Sequence, residues 1–584
     1  MNPDRTRELA LALTAVPSIT DSDGESGFAF FLKDMLCSWP YFKDKPENLR
    51  IIRTVDDERE RYALLAFAGQ QASTVSAAPC ALSDETVHAI KGRPTVILTG
   101  HYDVVSVENY GSLEPYAFDP EALAPRLVAA LESEAASAIA LGERPGDTIL
   151  RALDDLKTGG FLPGRGLLDM KAGLAAGLAV FEDHAQRCLL AADAAGSHGS
   201  LLFLAVPDEE GSSHGMLSAV RALPGLLAEW DLDAIAAINL DAAVDQGDGS
   251  AGRAAFLGSV GKLHPFSLFV GRPTHAGAPF DGINPALAAA EFARGLECAG
   301  DVFDVPVAGG GSSQPGYPPP PPTILYHRDL RDHYDVTTPA TVFVSANVLT
   351  RIDGPVQVLD AVSSLALTSM RLAASSLLER AQAHSRTSGQ SFCPPDREPR
   401  LVPWAELVQL ARQADSQAVM VAEAKARREP KRMEAFAVYV AEAVRLAGLE
   451  GPAAVVGLAP PYYPRAALDP TRDAALVEAV NSAVSGMAGM GRERVAVYPS
   501  FPGISDMSYL YPSDDEDARR VAAGACPFGI DPLPAGFSCP VVNIGPWGRE
   551  YHQRLERVHA GYAFHTLPLL IARTIEEIFS APGL

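Results

Sequence analysis

Three aliphatic runs end abruptly in ionisable side chains, and that pattern limits the folds open to the chain. In PTVILTGHYDVV, residues 94–105, His101 and Asp103 stand two apart where the run breaks. SLLFLAVPDEEG ends in Asp208, Glu209 and Glu210, and AIAAINLDAAV ends in Asp241. Continuous aliphatic runs alternating with helix-period segments are the strands of an α/β sheet covered on both faces. The segments KAGLAAGLAVFEDHAQRCLL and GMLSAVRALPGLLAEW supply helices of that kind. Ligands of such sheets gather beyond the carboxyl ends of the strands, where this chain places its polar residues. On extended backbone, His101 and Asp103 at i and i+2 point the same way.

At 584 residues the chain exceeds what one hydrophobic core holds, so two or more domains are expected. Residues 1–250 carry the first part of the α/β pattern. From 251 to 460 the order changes to β-α-β-α. GKLHPFSLFVGRPT is a strand and turn, NPALAAAEFARGLECAG a helix, ATVFVSANVLTRID a strand, and a long helix runs from about Val356 to His384. This order indicates a smaller inserted α+β domain. It holds a Gly/Pro-rich loop, residues 308–322, and an extra helical segment at about 385–450. The charge run EAKARREPKR in that segment reads as a solvated face broken at Pro430. Residues 461–584 return to the first pattern, with a helix from Thr471 to Ala488, strands at RVAVYPS and PVVNIGP, and a closing helix from Phe564 to Ile578. They complete the first sheet.

A formal net charge of −24 argues against nucleic acid as a partner, because a polyphosphate would be repelled. The composition, 47% hydrophobic and 21% charged, is that of a globular chain. Seven cysteines, Cys37, Cys80, Cys188, Cys298, Cys393, Cys526 and Cys539, are dispersed without a C-x-x-C pair, which suggests reduced thiols. MNPDRTRELALALTAVPSIT reads as an amphipathic helix and lacks the apolar region of a signal peptide. No stretch approaches the roughly 20 apolar residues of a membrane span. A cytoplasmic protein acting on a small molecule is expected.

Five clusters require one explanation: His101-x-Asp103, GRGLLDMKAG with Asp169, DEEG with Glu209 and Glu210, NLDAA with Asp241, and YHQRLE with His552. Singly, each has an ordinary structural reading. Asp169, for example, is placed to cap a helix beginning near Met170. Together they are harder to account for, because adjacent carboxylates at an apolar strand end repel unless a cation neutralises them. Two histidines with several carboxylates form a mixed N/O donor set suited to divalent transition metals, zinc first, with cobalt or manganese as alternatives. One carboxylate bridging two ions about 3.5–4 Å apart would leave another free to act as a base on water. Arg351, in VLTRIDG, is a candidate for a bidentate contact with a substrate carboxylate, or a surface residue.

This order of motifs resembles the M20 family of co-catalytic zinc peptidases and amidohydrolases, which includes aminoacylases, carboxypeptidases and dipeptidases. The resemblance implies two bound metal ions, with His101, Asp169, Glu210, Asp241 and His552 as ligands and Asp169 bridging. It implies Glu209 as general base and Asp103 as the orienting partner of His101. Glu556 matches a glutamate that follows the last ligand, and GISDMSY places Ser505 and Asp506 near the site. His559 is the rival of His552, but Gly545-Pro546 before and Glu556 after favour His552. GRPTHAGAPFDGINPALAAAEF resembles the start of the family's lid, or dimerisation, domain. Its histidine, here His275, reaches the active site in relatives, sometimes from a partner subunit, and steadies an oxyanion. A homodimer through that domain is implied. The chain length, the long interval from His101 to Asp169, PPYYPRA and NIGPWGREYHQRLERV resemble the arginine-utilisation (RocB-like) branch.

The expected activity is hydrolysis of an amide bond in an N-acyl amino acid or small peptide-like substrate. The alternatives are a dipeptidase or carboxypeptidase and, from another class, a metal-free dimeric binding or regulatory protein.

Overall fold

The three aliphatic runs lie side by side in the middle of an eight-stranded sheet. A computed structural model describes residues 2–69, 92–190, 199–304, 319–331, 335–395, 398–428, 432–490, 493–528 and 537–581. Cys80, His88, His198, His333, Pro430 and most of the Gly/Pro-rich loop lie outside the described residues. The chain divides into two units. One comprises Met1–Ser259, Ala466–Tyr511 and Leu533–Leu584, the other Val260–Arg465 and Pro512–Pro532.

In the first unit the strand order is Leu49–Arg53, Tyr62–Ala68, Ser200–Val206, Arg93–His101, Leu232–Asn239, Val541–Asn543, Ala254–Phe256, Ala496–Tyr498. The four central strands run parallel. Their register sets His101 opposite Val206 and Thr99 opposite Asn239. The ends of three strands therefore open at one edge, with His101, the Asp208–Glu210 turn and Asp241 just beyond it. Alternate residues Leu201, Phe203 and Ala205 enter a core shared with helices Pro3–Thr14, Ala172–Leu190 and Leu567–Ser580.

Between His101 and Asp169 the chain forms an arm of two helices, Pro120–Ala140 and Asp147–Lys157. The Asp119 carboxylate accepts from Ala122 N at 3.0 Å, and Pro120 occupies the first turn, which fixes where the first helix starts. Leu123, Leu127, Leu131 and Ala152 close an apolar cluster beneath them. A separate four-stranded sheet joins Phe161–Pro163, Arg557–His559, Trp547–Arg549 and Ala243–Val244. Its antiparallel pair, with Arg549 opposite Arg557, forms a hairpin whose loop contains His552.

The second unit is built on a six-stranded sheet, mostly antiparallel. Phe269, Val342, Val344, Ala454 and Val456 face helices Pro285–Leu296 and Pro355–Ser388. The alternate residues Phe266, Leu268, Phe343, Ala453 and Val455 face helices Trp404–Arg428 and Arg432–Leu446.

Several expectations are corrected here. The extra helical segment is more than a solvated face, because its two helices bury the second side of this sheet. The changeovers fall at 259/260 and 465/466 instead of 250/251 and 460/461, because Ala254–Phe256 and Gly258–Ser259 pair within the first unit. Residues 512–532, expected in the last part of the first domain, belong to the second unit, where helix Glu516–Ala525 contributes Ala522 to the core. Asp169 caps no helix. It sits in an irregular turn entered through Gly166, whose backbone is left-handed at φ 70°, and the regular helix begins at Ala172. Helix Pro355–Ser388 is long and apolar enough, by length and composition, to cross a bilayer, where no such stretch was expected. Its Val358, Val362, Ala366 and Met370 are buried in the core of the second unit.

Phe436 inserts between Phe266 and Phe528, with ring centroids 5.4 and 5.2 Å away. Phe436→Ala removes that wedge, and large-to-small changes of this kind cost about 3–5 kcal/mol. Hydrogen exchange should accelerate across residues 404–446 while amides of strand Arg93–His101 keep their protection.

Candidate metal centre

His101 is the last residue of its strand and only 2% exposed. Its Nδ1 lies 3.0 Å from the carbonyl oxygen of Asp103, which leaves Nε2 aimed at Asp169 Oδ1, 3.1 Å away. A ring held through Nδ1–H to a carbonyl presents a lone pair at Nε2, the arrangement a metal ligand needs. The Asp103 carboxylate is 3.6 Å from Nδ1 and has a second task. Its oxygens accept from Glu209 N at 3.1 Å, Glu210 N at 3.2 Å and Thr20 Oγ1 at 3.0 Å. Asp103 therefore ties the end of one strand to the glutamate pair at the end of its neighbour.

The turn that presents the pair depends on Asp208, whose backbone is left-handed at φ 68°. Arg61 Nη1 donates to the Asp208 carboxylate at 2.8 Å, and His214 contacts it through N at 3.1 Å and Nδ1 at 2.5 Å. His214 is thus engaged from behind the site. Asp241 is fixed by a side-chain amide. Asn543 Oδ1 accepts from Asp241 N at 3.0 Å, and Asn543 Nδ2 donates to Asp241 O at 2.9 Å. Asn239 Nδ2 donates to Asn543 Oδ1 and to Ser505 Oγ, both at 2.9 Å. Gly545 must be glycine for this approach, since a Cβ there would lie 1.9 Å from the Asp241 carbonyl oxygen.

His552 reaches the cluster from the hairpin loop. Its Nε2 lies 2.9 Å from Glu210 Oε1 and 3.2 Å from Asp169 Oδ2. The rival His559 is structural, stacked on Trp547 at 4.9 Å with its Nδ1 accepting from Tyr562 N at 3.1 Å.

The side chains form three groups whose donor atoms lie within 4.8 Å of one another: His101–Asp169–Asp241, Asp169–Glu210–His552, and His101–Glu209–Glu210. The first two share Asp169, use every expected ligand, and leave Glu209 over. Glu209 Oε2 stands 3.9 Å from His101 Nε2, farther than Asp169.

Electrostatics divide the carboxyls. Burial pushes Glu209 well above the usual carboxylate range, with Glu210, Asp506 and Asp241 adding to the shift against the pull of His101. Burial raises Glu210 and takes Asp241 to about 7. Asp506 also rises to about 7 through burial, opposed by the Ser213 hydroxyl. Asp169 moves the other way, because its bonds to His101 and His552 outweigh its burial. His552 is lifted to about 10, its bonds to Asp169 and Glu210 outweighing burial. Carboxylates crowded in this way call for compensating cations, and the mixed N/O donor set fits a divalent metal.

Ser505 and Asp506 are brought to this neighbourhood, Ser505 through Asn239 and a bond to Asp241. His275 and Arg351 belong to the second unit. His275 is exposed, its Nδ1 accepting from Gly277 N at 3.0 Å, while Arg351 N donates to Asp304. Sequence reasoning did not find Asn543, Asn239, Arg61, Asn109 or Arg165. Arg165, Asn239 and Asn543 had a signal, their places within GRGLLDMKAG, NLDAA and NIGPWGREYHQRLERV, whereas Arg61 and Asn109 had none.

The chain resembles two proteins of Bacillus subtilis (strain 168) along nearly its whole length. It is 28% identical to the uncharacterized protein YqjN, over 98% of this chain and 96% of that one. It is 26% identical to protein RocB, over 100% and 96%. Among solved structures it is similar to the Bacillus subtilis YXEP protein, described as a dinuclear metal binding peptidase from the M20 family. That match has a TM-score of 0.46 and 12% identity, and covers 99% of this chain and 98% of that one. The family model for peptidase family M20/M25/M40 matches residues 151–523, more than half of the sequence. With that match, the chain belongs to the M20/M25/M40 peptidase family and is a hydrolytic enzyme.

Proposed function

We propose that this hydrolase cleaves an amide bond in an N-acyl amino acid or small peptide-like substrate, using two metal ions, most simply zinc. The observation that carries the reading is the sharing of Asp169 by two complete three-residue groups, with Glu209 left over beside them. His101, Asp169 and Asp241 would hold one ion, and Asp169, Glu210 and His552 the other. Two ions there would supply Lewis acidity and lower the pKa of a water towards neutrality.

The chain's own groups account for the proton movements. Glu209, its carboxyl raised by burial, takes the proton of the attacking water and returns it to the departing amine. Asp103, holding the backbone N–H groups of Glu209 and Glu210, keeps base and ligand in one register. The Asp103 carbonyl keeps His101 in the tautomer with Nε2 free. Donation by His275 to the developing oxyanion is part of the reading on the family resemblance, as is a homodimer through the second unit. The resemblance to the arginine-utilisation (RocB-like) branch makes arginine- and ornithine-related amides the first substrates to test, and the dispersed cysteines point to a cytoplasmic location.

Glu209→Gln should keep both ions by elemental analysis and lose at least about two orders of magnitude in kcat. Retained turnover in that variant would remove Glu209 from the role of base. Asp169→Asn should lose both ions together, because it is the shared ligand; loss of only one would argue against a bridge. Chelation of the wild-type protein should abolish hydrolysis, and zinc or cobalt should restore it. A panel of N-acyl amino acids, dipeptides and arginine- or ornithine-related amides separates a deacylase from a dipeptidase or carboxypeptidase. A metal content below one per chain after gentle purification would favour a binding protein.

A further inference from the structure

The arm formed by helices Pro120–Ala140 and Asp147–Lys157 has no part in the chemistry above, yet it grips the hairpin that carries His552. Asp155, 7% exposed, accepts from Arg549 Nη1 on both oxygens at 2.5 Å and from Arg557 Nε at 2.8 Å. Arg549 and Arg557 face each other across the hairpin, so one carboxylate spans the neck of the loop. At the loop itself, Arg554 forms a two-point contact with Glu134, at 2.7 and 2.5 Å. Leu555 is buried in the same apolar cluster as Leu123, Leu127 and Leu131. Just before the arm, Asn109 Nδ2 donates to the carbonyl of His552 at 2.8 Å. Arg165, paired with Glu556 and bonded to Asn109 Oδ1 at 3.0 Å, reaches the same carbonyl at 3.4 Å.

These contacts converge on a residue that needs them. His552 has φ 63°, a left-handed backbone that a non-glycine residue holds only where its surroundings impose it. Within the loop, Gln553 N donates to Glu550 O and Glu556 N to Gln553 O, both at 3.1 Å. Stability alone is a poor account of the external ones. Buried ion pairs add little net stability, and a part-exposed pair such as Arg554–Glu134 adds little more. Ion pairs and an amide focused on one loop do, however, define where its imidazole points.

We propose that the arm, together with Asn109, is a positioning device for His552. It sets the metal affinity of the Asp169–Glu210–His552 position separately from that of the His101–Asp169–Asp241 position. The proposal rests on the two-ion reading above. Asn109, Glu134 and Asp155 are positioning residues that act through the hairpin, and loss of such outer partners typically weakens metal binding about 10–100-fold.

The test is a zinc titration of the full-length protein in competition with a chromophoric chelator, alongside thermal unfolding of the metal-free chain. The variants are Asn109→Ala/Glu134→Gln, both at exposed or part-exposed positions, and Asp155→Asn. Wild type should take up two ions. In the double variant one binding step should weaken about 10–100-fold while the other is unchanged and the metal-free transition hardly moves. Excess zinc should then restore the second ion. Lys157→Ala, which removes an ion pair inside the arm with Glu132, should leave both steps as in wild type. If wild type binds fewer than two ions, the two-ion reading itself fails. If wild type binds two and the double variant matches it, or weakens at both steps equally, the arm's role is overturned. Should Asp155→Asn fail to fold, the double variant still decides.

Discussion

Asp169 faces both imidazoles, one with each oxygen, and the rest of the site is arranged around that sharing. A carboxylate between two histidines sits in a favourable field and stays ionised. Its neighbours Glu209, Glu210 and Asp241 experience the opposite field, each carrying the burden of burial and of nearby negative charge. The same few residues therefore divide into a firmly anionic centre and a group with raised proton affinity. That division suits a site in which one carboxylate holds cations and another moves a proton.

Strand ends leave backbone N–H and C=O groups without ladder partners, and this site uses side chains to satisfy them. Asn543 closes both backbone groups of Asp241, and Asp103 takes the N–H groups of Glu209 and Glu210. Asn109 takes the carbonyl of His552. In each case the group that completes the backbone also fixes the direction of a candidate ligand or base. Polar satisfaction and site geometry are one requirement here, which explains why neutral amides and an acceptor surround a cluster of charges.

The central sheet was legible because parallel strands buried on both faces must be continuous aliphatic runs. The cluster of ionisable residues was legible because such residues, where aliphatic runs end, have few inexpensive explanations. The helical pair over the second sheet was misread as a solvated face, although a signal was present. PFSLFV, residues 265–270, is buried at all six positions, and a strand apolar on both sides requires cover on both sides. The arm gave no such signal. Its decisive contacts, Asp155 with Arg549 and Asn109 with His552, join positions 394 and 443 residues apart, and nothing local to either partner records them. The same holds for Asn543 and Asp241, 302 residues apart.

The two positions that share Asp169 are built from unlike materials. One draws on His101 and Asp241, residues at the ends of adjacent parallel strands, whose separation is set by sheet register and by glycine contacts too close to shift. The other draws on His552, whose side chain is 38% exposed and whose backbone is left-handed within a hairpin loop. A sheet edge holds its side chains through the ladder itself, whereas a loop holds its side chain only through contacts supplied from elsewhere. The more exposed position therefore needs an outside support, and the helical arm in the long interval between His101 and Asp169 is where this chain provides it.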